Sequence, residues 1–162
     1  MAATYEPIAS QTLVSAASSV TFSSIPGTYT DLVLVLSGTT TANDKAIRCQ
    51  LNADTGSNYS HTNVLGYSGG VLSQRNSSAA FWNIGNNFVT SQSTLVAHFM
   101  SYANTNVYKT TLSAEAAGTS VATRIVGLWR STAAITSIKV YPISGSFAAG
   151  TTASLFGIKA SA

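Results

Sequence analysis

Short stretches of alternating apolar and polar residues, separated by turn residues, constrain the fold of this chain most. Residues 46–51 alternate cleanly, and residues 20–25 place apolar side chains two positions apart before the turn pair Pro26-Gly27. No segment of about ten residues or more shows the 3.6-residue period of an amphipathic helix. Because parallel strands need long crossover connections, which are usually helical, the strands are predicted to be antiparallel.

The pattern predicts about nine or ten strands at regular spacing, which is typical of a sandwich or barrel. We predict an all-β fold: an antiparallel two-sheet sandwich with a jelly-roll-like arrangement, and an immunoglobulin-like sandwich as the second topology. The polar, Pro7-containing segment 1–10 is predicted to be an N-terminal arm, and residues 11–162 a single domain. The predicted strands are residues 20–25, 32–36, 46–51, 64–67, 80–84, 94–102, 107–112, 123–129, 135–141 and 153–158.

Charged residues are unusually scarce, at 8% of the chain against about 25% in an ordinary soluble domain. Low charge weakens the repulsion between copies, which favours a homo-oligomer or an assembly subunit. The eight basic residues are scattered, whereas nucleic-acid binders concentrate them on one face, so no nucleic-acid partner is expected. Apolar runs stay shorter than the roughly 18 residues of a membrane span, and we expect neither membrane insertion nor a signal peptide.

Residues capable of catalysis or metal binding are few, so the chain is predicted not to be an enzyme and to hold no cofactor or metal. It has five acidic residues, two histidines and the single cysteine Cys49, which is expected to be buried. His98 is predicted to be a structural histidine in a strand. The loop 52–58 is predicted to be a turn around Asp54, with calcium binding as the alternative. The enzymatic alternative is a glycan depolymerase, whose chemistry needs two facing carboxylates.

Aromatic and polar side chains between residues 59 and 82 form the predicted recognition surface. Tyrosine and tryptophan are favoured at interfaces and stack on sugar rings. The residues assigned to this surface are Tyr59, His61, Tyr67 and Trp82, and the alternative for Trp82 is core packing.

Several segments resemble a family of small virion proteins of tailed bacteriophages, including marine phages and cyanophages. The segment around Trp129, residues 127–138, is the most specific of them, and residues 65–87 depart most from the family pattern. The resembling segments are residues 5–9, 20–32, 54–60, 100–105, 127–138, 147–151 and 157–160.

The resemblance implies a non-enzymatic structural protein on the virion exterior, folded in the host cytoplasm. A capsid decoration (cement) protein or head-spike subunit is expected, and the alternative is a tail-fibre-type module that binds a host surface glycan. The expected partners are further copies of the chain, with a trimer favoured, and the major capsid protein or other virion proteins. The arm residues Tyr5, Glu6, Pro7 and Ile8 are predicted to attach to a neighbouring sheet by strand addition.

Overall fold

The computed structural model describes residues 4–118 and 121–159, and within them every regular element is a β-strand. No helix in this part of the chain is long and apolar enough to cross a membrane. In chain order the strands are β1 (Tyr5–Thr12), β2 (Val20–Phe22), β3 (Asp31–Gly38), β4 (Lys45–Leu51), β5 (Tyr59–Tyr67), β6 (Gly70–Ala79), β7 (Trp82–Phe88), β8 (Ser93–Met100), β9 (Lys109–Ala117), β10 (Val121–Trp129), β11 (Ile138–Pro142) and β12 (Thr152–Ile158).

The strands form two antiparallel sheets, which confirms the predicted sandwich. The larger sheet has the order β1-β12-β3-β8-β9-β10-β5-β6, and the smaller has the order β2-β11-β4-β7. Without the hairpins β5–β6 and β9–β10, two four-stranded sheets remain, β1-β12-β3-β8 and β2-β11-β4-β7, and this is the strand order of a jelly roll. Both hairpins extend the larger sheet beyond β8, and we call these four strands the extension.

Residues 5–10 belong to the sandwich and do not form the predicted arm. Strand β1 pairs with β12 from Tyr5 opposite Ile158 to Thr12 opposite Thr152, with a bulge after Pro7. Pro7 is compatible with this position because an edge strand has a neighbour on one side only. The sequence pattern did not indicate this strand because β1 has no regular series of inward apolar residues. Of its eight residues, only Ile8 packs against the core. Residues 1–3 of the arm lie outside the described residues.

Strand β6 is the other element that the sequence pattern did not indicate. Nine of its ten residues are exposed, so its sequence shows no alternation between apolar and polar positions. Hydrogen-bonded pairing with β5 therefore determines β6 more than burial of its own side chains.

The core lies between the two sheets and is centred on aromatic side chains. The ring of Trp82 packs edge-on to Tyr59 at 5.8 Å between centroids, and Tyr59 stacks on Trp129 at 6.1 Å. Leu34 and Leu36 of β3 face this layer and are fully buried. Burial of such side chains contributes roughly 1.5–3 kcal/mol each to stability.

Candidate functional site

The inner face of the larger sheet becomes more polar in the extension. Strand β7, at the edge of the smaller sheet, packs against β9, β10 and β5 and is the last strand to cover that face. Apolar side chains such as Ile125 are buried there together with polar ones, which are Ser113, Glu115, Thr123, His61 and Asn63.

A polar groove of about 440 Å³ opens where the β5–β6 hairpin passes the edge of β7. In the β5–β6 register His61 lies opposite Asn76 and Asn63 lies opposite Gln74, so these four residues share one face. Asn63 donates a hydrogen bond to Gln74 at 3.4 Å. The lining residues are His61, Asn63, Gln74, Arg75, Asn76 and Asn83.

His61 is the titratable group of this polar groove whose pKa is shifted. The backbone N–H of Asn83 donates to its Nδ1 at 3.5 Å. Burial lowers the pKa of His61, and the positive charge of Arg48 lowers it further. The imidazole is therefore neutral at pH 7.

Two polar atoms beside the polar groove are buried and have no hydrogen-bond partner among the described residues. They are Oδ1 of Asn83, which lines the groove, and Nε of Arg48. The Arg48 guanidinium lies 3.7 Å from the centroid of the Phe81 ring, and that ring lies 6.2 Å from the His61 ring. Buried polar atoms without partners are uncommon in folded proteins, so these two atoms set this corner of the molecule apart from the rest of the core.

The structure separates the four residues of the predicted recognition surface. Tyr59 and Trp82 are fully buried, so assigning them to a surface was wrong: both side chains face the layer between the sheets. His61 lines the polar groove, while Tyr67 is 46% exposed at the end of β5, next to the hairpin turn. Sequence reasoning missed the groove amides on β6 and β7. The available signal was the pair His61 and Asn63, two positions apart on β5 and therefore on one face.

The carboxylate of Glu115 joins the extension to β7. It is buried and accepts hydrogen bonds from the backbone N–H of Asn86 at 2.6 Å and of Asn87 at 3.1 Å. Burial raises the pKa of Glu115, and these hydrogen bonds partly offset the shift. The side chain therefore has a structural role at the boundary of the two-sheet region.

The outward face of the larger sheet carries an exposed apolar patch that spans β8 and the extension, and we call this patch the outer face. Val64, Val96, Leu112 and Val126 lie on β5, β8, β9 and β10 and are 39–56% exposed. Pairing places Ala114 beside Val96 and Ala116 opposite Ala122, and these small side chains leave a shallow depression of about 620 Å³. Arg124 is an exposed cation within this surface.

The loop 52–58 forms the predicted turn. The Asp54 carboxylate accepts hydrogen bonds from the Gly56 N–H at 2.8 Å, from Asn58 Nδ2 at 2.9 Å and from Trp129 Nε1 at 2.7 Å. The amide oxygen of Asn52 accepts from the backbone N–H of Thr136 at 2.8 Å. The Asp54 carboxylate and the Asn52 amide oxygen are thus engaged in hydrogen bonds that fix the turn.

His98 and Cys49 lie outside the polar groove, in contacts within the sheets. His98 lies 3.0 Å from the Asp31 carboxylate on neighbouring strands, and Cys49 is fully buried, which raises the pKa of its thiol. Within residues 4–118 and 121–159, no group of three or more His, Cys, Asp or Glu side chains is arranged to hold a metal ion.

Comparisons with known proteins give no family. No protein-family model matches the chain, and no curated protein matches it. A crystal structure of a protein of unknown function from Shewanella oneidensis MR-1 is similar at 10% sequence identity, with a TM-score of 0.22. The similarity covers 86% of this chain and 62% of that one, and a TM-score this low does not establish a shared fold.

Proposed function

We propose that this chain is a non-enzymatic structural subunit on the exterior of a tailed-phage particle, as a capsid decoration or head-spike protein. The observation that carries the proposal is the outer face, an exposed apolar patch that no residue of 4–118 or 121–159 covers. Large exposed apolar patches mark interaction sites in soluble proteins. The jelly-roll strand order agrees with a virion role by analogy, since that architecture recurs in viral capsid proteins and in lectins.

The dimensions of the outer face suit assembly. The six strands from β3 to β6 are spaced about 4.8 Å apart, which gives a width of roughly 24 Å. Outward residues repeat about every 6.8 Å along a strand, so four of them extend over roughly 20 Å. The resulting area of about 500 Å² per copy would bury about 1,000 Å² in total against a partner surface of equal size, near the lower limit of specific interfaces. We propose a homotrimer that attaches to the major capsid protein or another virion protein.

The outer face is tested by placing a charge in its centre. Val126→Glu introduces a carboxylate at a 56% exposed position, and Val14→Glu makes the same change at a 95% exposed loop position away from the sheet. We expect the native protein and Val14→Glu to be trimeric by native mass spectrometry and to bind particles that lack the protein, whereas Val126→Glu is monomeric and does not bind. A monomeric native protein, or normal particle binding by Val126→Glu, would contradict the proposal.

The position on the particle is tested by cryo-electron microscopy of intact virions, with the two-sheet domain fitted to density. Density on the head lattice supports a decoration or spike protein. Density at the end of a tail fibre supports the second candidate function, a receptor-binding module for host glycans. The polar groove favours this second function, because its amide side chains match the hydrogen-bonding groups of a sugar.

A further inference from the structure

We propose that the polar groove binds an uncharged saccharide unit through its hydroxyl groups. The inference rests on the receptor-binding candidate function and specifies the chemistry of its ligand. It is independent of the attachment proposed for the outer face, because the two surfaces lie on opposite faces of the extension.

The groups that line the polar groove are matched to hydroxyls. Asn63, Gln74, Asn76 and Asn83 each carry one carbonyl acceptor and one NH₂ donor. A sugar hydroxyl likewise donates one hydrogen bond and accepts others, so paired amides can bind neighbouring hydroxyls of one ring.

His61 adds a directed donor to this set. Its Nδ1 accepts the backbone N–H of Asn83, so in the neutral ring the proton resides on Nε2. Because burial and Arg48 lower the pKa of His61, the ring remains neutral at pH 7. The imidazole thus contributes a hydrogen bond without a charge.

An acidic sugar is a poorer match to the amides of the groove. Arg75 also lines the groove, but it lies on β6 between Gln74 and Asn76, so its Cβ points to the opposite face of the strand. The Arg48 guanidinium, whose charge lowers the pKa of His61, lies over the Phe81 ring. A carboxylate bound to the amides would exchange its hydration for groups that carry no charge, which is unfavourable.

The size and the walls of the polar groove indicate weak binding at a single site. Its volume of about 440 Å³ falls within the range of about 300–1,000 Å³ that is usual for small-ligand sites. Its lining residues include no Phe, Tyr or Trp, so binding depends on hydrogen bonds rather than on stacking against such a ring. Presentation of several copies raises the avidity, and the measurement must therefore be multivalent.

The test uses the full chain, biotinylated and presented on streptavidin, against two sets of immobilised sugars. The neutral set carries terminal glucose, galactose, mannose and N-acetylglucosamine; the acidic set carries glucuronic, galacturonic and sialic acid. We expect binding to at least one neutral sugar and weaker binding to its acidic counterpart. Binding to none of the neutral sugars, or stronger binding to the acidic set, would overturn the inference.

Variants assign the binding to the polar groove. The double substitution Gln74→Ala/Asn76→Ala removes two amides from an exposed strand, so the fold should be retained, as checked by circular dichroism and thermal unfolding. With about 1 kcal/mol per hydrogen bond, we expect at least a tenfold loss of binding. Asn106→Ala, an exposed loop asparagine, is the matched control and should bind normally.

Unchanged binding by the double variant would also overturn the inference. Particle attachment is measured separately with Val126→Glu. A protein that occupies the particle but binds no neutral sugar would retain the structural proposal and lose this one.

Discussion

The larger sheet has two halves, the jelly-roll half β1-β12-β3-β8 and the extension. Residues alternate between the two faces in both halves, but the inner face of the extension is more polar. In the jelly-roll half, the inward residues Leu34 and Leu36 are completely buried under the smaller sheet. In the extension, the inward positions of β5 include His61 and Asn63 beside the buried Tyr59, and the neighbouring strand β6 is exposed along nearly its whole length. The comparison teaches that a strand carries an apolar face where a second sheet packs on it. Pairing with neighbouring strands alone does not require such a face.

Strand β7, the edge of the smaller sheet, lies over β9, β10 and part of β5, so the cover of the inner face ends within the extension along β7. Its first residue, Trp82, is the largest fully buried side chain, and the Glu115 carboxylate binds its backbone farther along. On the extension side, Gly127 of β10 leaves room for the Trp82 indole. Four substitutions on the two sides of this boundary test the comparison.

The largest effect is expected for Trp82→Ala. Removing this buried ring takes away the contacts with Tyr59 and Phe99 and leaves a cavity, which typically costs about 3–5 kcal/mol of unfolding free energy. Val71→Ala, at a 77% exposed position of β6, is the control and should change stability by less than about 0.5 kcal/mol. Urea unfolding of both variants measures the difference, and similar losses would refute the contrast between the halves.

Lys109→Met tests a buried cation at the start of β9. Its ammonium group donates to the backbone carbonyls of Val107 at 2.8 Å and Thr132 at 3.0 Å, and also to that of Asn104. The substitution leaves these acceptors unpaired, and we expect a loss of about 2–3 kcal/mol in urea unfolding. Lys139→Met, at an exposed position of β11, serves as the control; an equal loss there would argue against a structural role for Lys109.

Gly127→Ala tests how closely β10 packs against Trp82 of β7. A Cβ at this position would lie 2.7 Å from Nε1 of Trp82 and 2.9 Å from Cγ2 of Thr111. Such overpacking typically costs about 1–3 kcal/mol. Gly66→Ala, where a Cβ meets nothing within 4 Å, is the control on the neighbouring strand. Thermal unfolding should separate the two variants, and equal melting temperatures would show that the indole can shift at little cost.

Glu115→Gln has the smallest expected effect, which is a change in how the free energy of unfolding depends on pH. Because burial raises the pKa of Glu115 above 4.5 in the folded state, its contribution to stability is greatest below pH 4.5 and decreases as the pH rises through the folded-state value. The pKa of His61 is lowered, so its contribution has the opposite slope below about pH 6.5. The difference between the native protein and Glu115→Gln isolates the glutamate.

Urea unfolding of Glu115→Gln and the native protein between pH 4 and 8 measures this difference. We expect the variant to gain stability relative to the native protein as the pH rises. A difference that does not vary with pH would mean that Glu115 titrates alike in the folded and unfolded states.

Local patterns predicted much of the jelly-roll half. The alternation of residues 46–51 corresponds to β4, and the apolar run 32–36 lies within β3, buried from both sides over much of its length. The same patterns failed for β1 and β6, which are held by pairing at the sheet edges and carry few inward apolar side chains. For the site, His61 was predicted, but Tyr59 and Trp82 were assigned to the surface because aromatic residues suit both interfaces and cores.

By itself the sequence determined the antiparallel two-sheet class, because alternation and turn residues act over a few neighbouring positions. Only the tertiary structure decided which sheet each strand joins, since pairing depends on contacts such as that between Tyr5 and Ile158, far apart in the chain. It also decided where the smaller sheet ends, and with it which inward positions are dry and which line the polar groove. Burial depends on the partner that covers a face, and a strand's own residues do not specify that partner.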